Sequence, residues 1–157
     1  MVYAAELLNR IVDGVEGIRT GLHVCRGNWS RREDVLIEGD YTPLIESFRS
    51  LNVDQLVLEF ATPRAGELSI VGSALGDKEI GFGVVNPRTT EAESVASLVA
   101  RAEEALEFWK PEQIFLNPDC GFGCFANRCV NDEETAFAKI SNIAEASRIL
   151  REKYGSA

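Results

Sequence analysis

Strand-length segments recur at residues 18–25, 54–61, 80–86 and 113–117, and stretches of helical periodicity separate them. A strand cannot reach a parallel neighbour through a tight turn; the chain must cross back over the sheet, and a helix is the usual crossover. Successive strands begin about 25 to 35 residues apart, enough for one strand, one helix and two connections. The expectation is an α/β fold of four consecutive βα units, with a parallel sheet covered by helices, in one domain over residues 1–157.

The helical stretches are amphipathic. Residues 3–16 place Ala4, Leu7, Leu8, Ile11, Val12 and Val15 at helical spacing, and Gly14 and Gly17 close that helix. A second helix is predicted over 41–50, with Thr42 as N-cap and Pro43 in the first helical position. Residues 64–75 form a weakly specified helix or turn that ends at Gly76 to Lys78. From Glu91 onward Val95, Leu98, Val99, Ala102 and Leu106 define an inner face, and a last helix over 133–153 directs Phe137, Ile140, Ala144 and Leu150 inward.

Charge narrows the partners. A net charge of −9 argues against nucleic acid and against anionic membrane surfaces, both of which select basic faces, and favours a small-molecule ligand. No apolar run approaches the roughly 18 residues of a membrane span. The first residues carry Glu6 and Arg10 where a secretory signal has an apolar middle, so a cytoplasmic location is expected. Four cysteines without such a signal read as metal ligands or buried thiols.

The single histidine, His23, is two residues from Cys25 in Leu22-His23-Val24-Cys25-Arg26-Gly27-Asn28. Positions i and i+2 of a strand share a face, so an imidazole and a thiolate can address one point. Glu59 ends an otherwise apolar run, where a buried carboxylate needs a metal or an ion pair, here with Arg26 or Arg64 as alternatives. Cys120 follows the fourth strand in Asp119-Cys120-Gly121. All four fall at C-terminal strand ends, where parallel α/β folds collect their chemistry. A donor set of one N, two S and one O suits zinc better than magnesium or calcium. Cys120, Cys124 and Cys129 lack a fourth partner for an iron–sulfur site, and the two Gly-Phe-Gly triplets form no nucleotide loop. Trp29, Arg31 and Arg32, just past the histidine motif, are candidate pocket residues.

The segments His23-Val24-Cys25-Arg26-Gly27-Asn28, Val57-Leu58-Glu59-Phe60, Gly81-Phe82-Gly83-Val84-Val85-Asn86 and Asn117-Pro118-Asp119-Cys120-Gly121-Phe122-Gly123 together resemble the cobalamin-independent methionine synthases. The resemblance implies the C-terminal half of a TIM-type barrel. It implies zinc held by His23, Cys25, Glu59 and Cys120, and methyl transfer from methyltetrahydrofolate to homocysteine. Arg88 and Asp119 are the candidate substrate contacts. Two departures accompany it. A full barrel needs eight βα units, so self-association or a separate chain is expected to complete this one. The family's histidine proton donor after the third strand is replaced by Pro87-Arg88-Thr89. Alkyl transfer to another thiol, as in epoxyalkane:coenzyme M transferases, and a non-catalytic zinc-binding half barrel are the alternative readings.

Overall fold

The computed structural model describes residues 2–28, 30–123, 125, 127 and 129–155. Helix α1 (Val2–Val12) precedes β1 (Gly21–His23), and α2 (Ile45–Arg49) precedes β2 (Gln55–Glu59). There follow α3 (Leu68–Leu75), β3 (Glu79–Val85), α4 (Val95–Ala105), β4 (Ile114–Pro118) and α5 (Glu133–Tyr154). The strands form one parallel sheet, as the strand–helix alternation predicts, and their order is β1-β2-β3-β4.

Register sorts the strand residues into rows. Leu22, Leu56, Ile80 and Ile114 lie side by side, as do Leu58, Phe82 and Leu116. These rows face the helices and carry the core, in which Leu56, Leu58, Ile80 and Phe82 are fully buried. Facing the other way are His23, Val57, Gly81 and Phe115, then Glu59, Gly83 and Asn117. Most of that face is only partly covered.

Several helix details differ from the sequence expectation. Helix α1 stops at Val12; among its described side chains Ala5 is the buried apolar one, Leu8 and Val12 are partly buried, and Leu7 and Ile11 are exposed, as is Val15 beyond its end. Strand β1 is three residues long, not eight, because as an edge strand it pairs with β2 alone and Thr20 instead bonds Asp54. Thr42 is not an N-cap. It opens a 3₁₀ turn over Thr42–Leu44, and its N–H donates to Asp40 Oδ1 at 2.8 Å. Helix α4 begins at Val95, four residues after Glu91, because Ser94 caps it by accepting from Ser97 N at 3.1 Å. In α5 most of the expected face points outward: Phe137 and Ile140 are 73% and 52% exposed and Ala144 is exposed, whereas Leu150 is half-buried and Lys139, Ile143 and Ala146 are buried. Helical periodicity identifies an apolar stripe, and α5 carries two; tertiary packing selects the stripe containing Lys139.

The sheet is strongly curved. A flat sheet would hold β1 and β4 roughly 14 Å apart, three strand spacings. The residues just beyond these strands nonetheless meet, with Cys25 Sγ 3.8 Å from Cys120 Sγ.

Candidate metal centre

His23 closes β1, and its Nδ1 lies 3.1 Å from the Val57 carbonyl oxygen. With Nδ1–H as the donor in that bond, Nε2 keeps the ring's lone pair, the arrangement that metal-binding histidines use. Cys25 follows on the loop, where Gly27 N–H donates to its sulfur at 3.3 Å. Gly27 sits at φ +97°, a left-handed conformation that a side chain would strain, so glycine makes this turn. Cys120 arrives from the far edge of the sheet, immediately after Asp119. One ligating atom from each of His23, Cys25 and Cys120 lies within 4.8 Å of the others. Zinc bonds of 2.0–2.3 Å set ligand atoms about 3.3–3.8 Å apart in a tetrahedron, so small side-chain rotations bring these three into range. One nitrogen and two sulfurs are a zinc-type donor set.

Glu59 lies outside that trio. Its position on β2 is in register with the point two residues past His23, hence beside Cys25. Its Oε1 accepts from Arg26 N and from Asn28 Nδ2, both at 2.7 Å, and its Oε2 is 3.5 Å from Arg64 Nη2. Of the two cations weighed in the sequence, Arg64 is the one with its side chain on Glu59. The Arg26 guanidinium lies over the Tyr41 ring, 4.3 Å from its centroid, and bonds Gly39 O.

Asp119 is buried behind the cysteine. Its Oδ1 accepts from Phe60 N at 2.9 Å and Ala61 N at 3.0 Å, while Oδ2 has no hydrogen-bond partner among the described residues. Burial pushes its carboxyl up to about 7 against those backbone donors; the nearby Glu59 carboxylate adds to the rise and Arg88 opposes it. Gly83 makes room for this packing, since a Cβ there would collide with Asp119 Oδ1 and lie 2.7 Å from Leu58 O.

Arg88 is buried and donates through Nη1 to Asn28 Oδ1. Arg31 joins the loops at the two sheet edges, its Nε and Nη2 donating to Val130 O at 2.8 and 2.6 Å, and Arg32 pairs at the surface with Asp34. Trp29 and Cys124 lie outside the described residues, and Cys129 is exposed.

Two residues that sequence reasoning missed connect these parts. Asn28 bridges Arg88 to Glu59. Lys139, inside α5, sends its ammonium to Asn86 O, Glu91 O, Thr89 Oγ1 and Glu93 Oε2, fixing the loop that carries Arg88. A lysine in the stripe with Ile143 and Ala146 was the available signal for the second.

The sequence model of the family described as "Cobalamin-independent synthase, Catalytic domain" matches residues 4–148. A methionine synthase of Pyrococcus abyssi is 34% identical across 98% of this chain and 40% of its own length. That of Pyrococcus horikoshii is 31% identical across 96% of the chain and 38% of its length. A solved structure, a B12-independent methionine synthase from Shewanella sp. W3-18-1 in complex with selenomethionine, superposes with a TM-score of 0.81 at 15% identity. The superposition takes in 96% of this chain and 43% of that one, and shows the fold: the four βα units are part of a TIM-type barrel. The chain spans about two fifths of the length of the curated relatives it matches.

Proposed function

This chain belongs to the cobalamin-independent synthase catalytic-domain family, and from that membership we propose that it is the zinc-bearing part of a methionine synthase-type methyltransferase. His23, Cys25, Cys120 and Glu59 are the ligands, homocysteine is the thiol substrate and methyltetrahydrofolate the methyl donor. The observation that carries this reading is the convergence of His23, Cys25 and Cys120 from opposite edges of the sheet.

Zinc held there would favour the ionised, nucleophilic form of an incoming thiol, which is mostly protonated when free at neutral pH. The chain's own groups prepare that event. The Val57 carbonyl fixes the His23 ring, and Gly27 N–H supports negative charge on Cys25. Oε1 of Glu59 is occupied by two short hydrogen bonds, so Oε2 is the atom to serve as ligand, in exchange for its long contact with Arg64. Asp119, the residue before Cys120, whose carboxyl burial pushes up to about 7, and Arg88 are the groups to meet the substrate's polar ends. Four more βα units, from a second copy or a further polypeptide segment, would close the barrel over the inner face and supply the remaining substrate contacts.

Metal analysis tests the ligands: one equivalent of zinc is expected in the purified protein and its loss in Cys120→Ala, whereas unchanged content refutes the site. Cobalt-substituted protein is expected to change its visible spectrum when homocysteine is added, and no response to any thiol refutes the activation chemistry. Light scattering is expected to give a mass above that of the monomer; a stable monomer at high dilution refutes self-completion of the barrel.

A further inference from the structure

Asn28 is wholly buried, at 0% exposure, and both ends of its carboxamide are engaged by ionic groups, one at the end of β2 and one on the loop after β3. Its oxygen accepts from Arg88 Nη1, and its nitrogen donates to Glu59 Oε1 at 2.7 Å. Hydrogen bonds to charged groups are the stronger class, and a buried amide that lost either partner would be left unsatisfied.

The loop that carries Arg88 is tied down on both sides of it. Lys139 holds the 86–93 loop through four bonds, Asn131 Nδ2 donates to Pro87 O, and Asn142 Nδ2 donates to Glu93 O at 2.8 Å. The Glu59 end is a buried two-oxygen group whose short hydrogen bonds both fall on Oε1, while Oε2 has only the 3.5 Å contact with Arg64 Nη2. Arg26 N supplies one of these donors from the backbone, and Asn28 supplies the other from a side chain anchored to a fixed cation.

We propose that Asn28 is a positioning residue of the metal centre: it refers the Glu59 carboxylate to the fixed Arg88 guanidinium and so decides which oxygen is turned to the ligand cluster. The inference rests on the reading of Glu59 as a ligand. Asn28→Asp separates the two bonds, because it keeps an acceptor for Arg88 and replaces the donor facing Glu59 with an oxygen. With circular dichroism unchanged, N28D is expected to bind zinc at least tenfold more weakly in competition with a chromophoric chelator. Its cobalt ligand-field bands should shift, while the sulfur-to-cobalt charge-transfer intensity, which reports Cys25 and Cys120, stays the same. The double variant N28D/E59Q should bind no more weakly than E59Q alone. Wild-type affinity and bands in N28D, or a further tenfold loss on the E59Q background, overturn the proposal. Should N28D fail to fold, Arg88→Lys approaches the bridge from its other end and must give the same band shift; unshifted bands overturn it. Wild-type protein that takes up neither zinc nor cobalt removes the proposed function instead. The bridge is then read in the metal-free protein from the Asn28 side-chain amide NMR signal, which E59Q and R88K must each move, and a signal indifferent to either overturns it.

Discussion

The two faces of the sheet are made from the same twenty residues of strand yet obey different rules. Toward the helices, every position in the rows Leu22-Leu56-Ile80-Ile114 and Leu58-Phe82-Leu116 is a large apolar side chain. On the inner face the rows read His23-Val57-Gly81-Phe115 and Glu59-Gly83-Asn117, mixing ionisable groups with glycines. The outer face excludes water and supplies stability. The inner face gives up apolar volume at Gly81 and Gly83, and into that space come Val57 and Asp119. Chemistry is housed where the core was left unfilled.

That division is open to attack, beginning with the outer face. Phe82→Ala is expected to cost about 3–5 kcal/mol in denaturant unfolding, while Val57→Ala, one strand over on the inner face, should cost about 1 kcal/mol. Equal losses would mean that the faces do not divide stability and chemistry in this way. Lys139 tests whether they are independent, since it reaches from a helix of the outer layer to the loop of the inner one. Lys139→Met removes the ammonium from a site with four acceptors and should lower stability by about 3 kcal/mol; it should also weaken zinc binding, whereas Phe82→Ala should not in the fraction that remains folded.

Asp119 gives the inner face a pH dependence that the apolar rows cannot have. Its folded-state value of about 7 lies above the ordinary 3.8, so between about pH 4 and pH 7 the native protein holds a proton that the unfolded chain has released. Stability of the metal-free protein should therefore fall as pH rises through that window, by at most about 1.4 kcal/mol per pH unit. Urea titrations across the window should show the slope in wild type and a flatter profile in Asp119→Asn; identical slopes would contradict it.

Much of this arrangement could be read in advance. Strand–helix alternation is a property of local pattern, and it located all four strands and ran the last helix to within a residue of its end. That His23, Cys25 and Cys120 come together was legible because parallel folds bring side chains at their strand ends to one place. What escaped was the direction in which helices turn. Phe137 and Ile140 are as periodic as Ile143 and Ala146, and the choice between the stripes is made by tertiary packing, which puts Ile143 and Ala146 in the apolar core and the Lys139 ammonium against the 86–93 loop. Asn28 escaped for a related reason. Its partners lie 31 and 60 positions away, and nothing local marks an asparagine after Gly27 as a bridge.

The proximity of Cys25 and Cys120 has one further meaning. They stand 95 positions apart in sequence, so an ion bonded to both sulfurs would close a loop that contains β2, β3, β4 and the helices between the four strands. In the chain-entropy description a covalent link over such a loop is worth about 4–5 kcal/mol, drawn from the freedom of the unfolded chain and not from any native contact. The metal would thus be a removable rivet through the whole fold, and a chelator would act on it as a reductant acts on a disulfide.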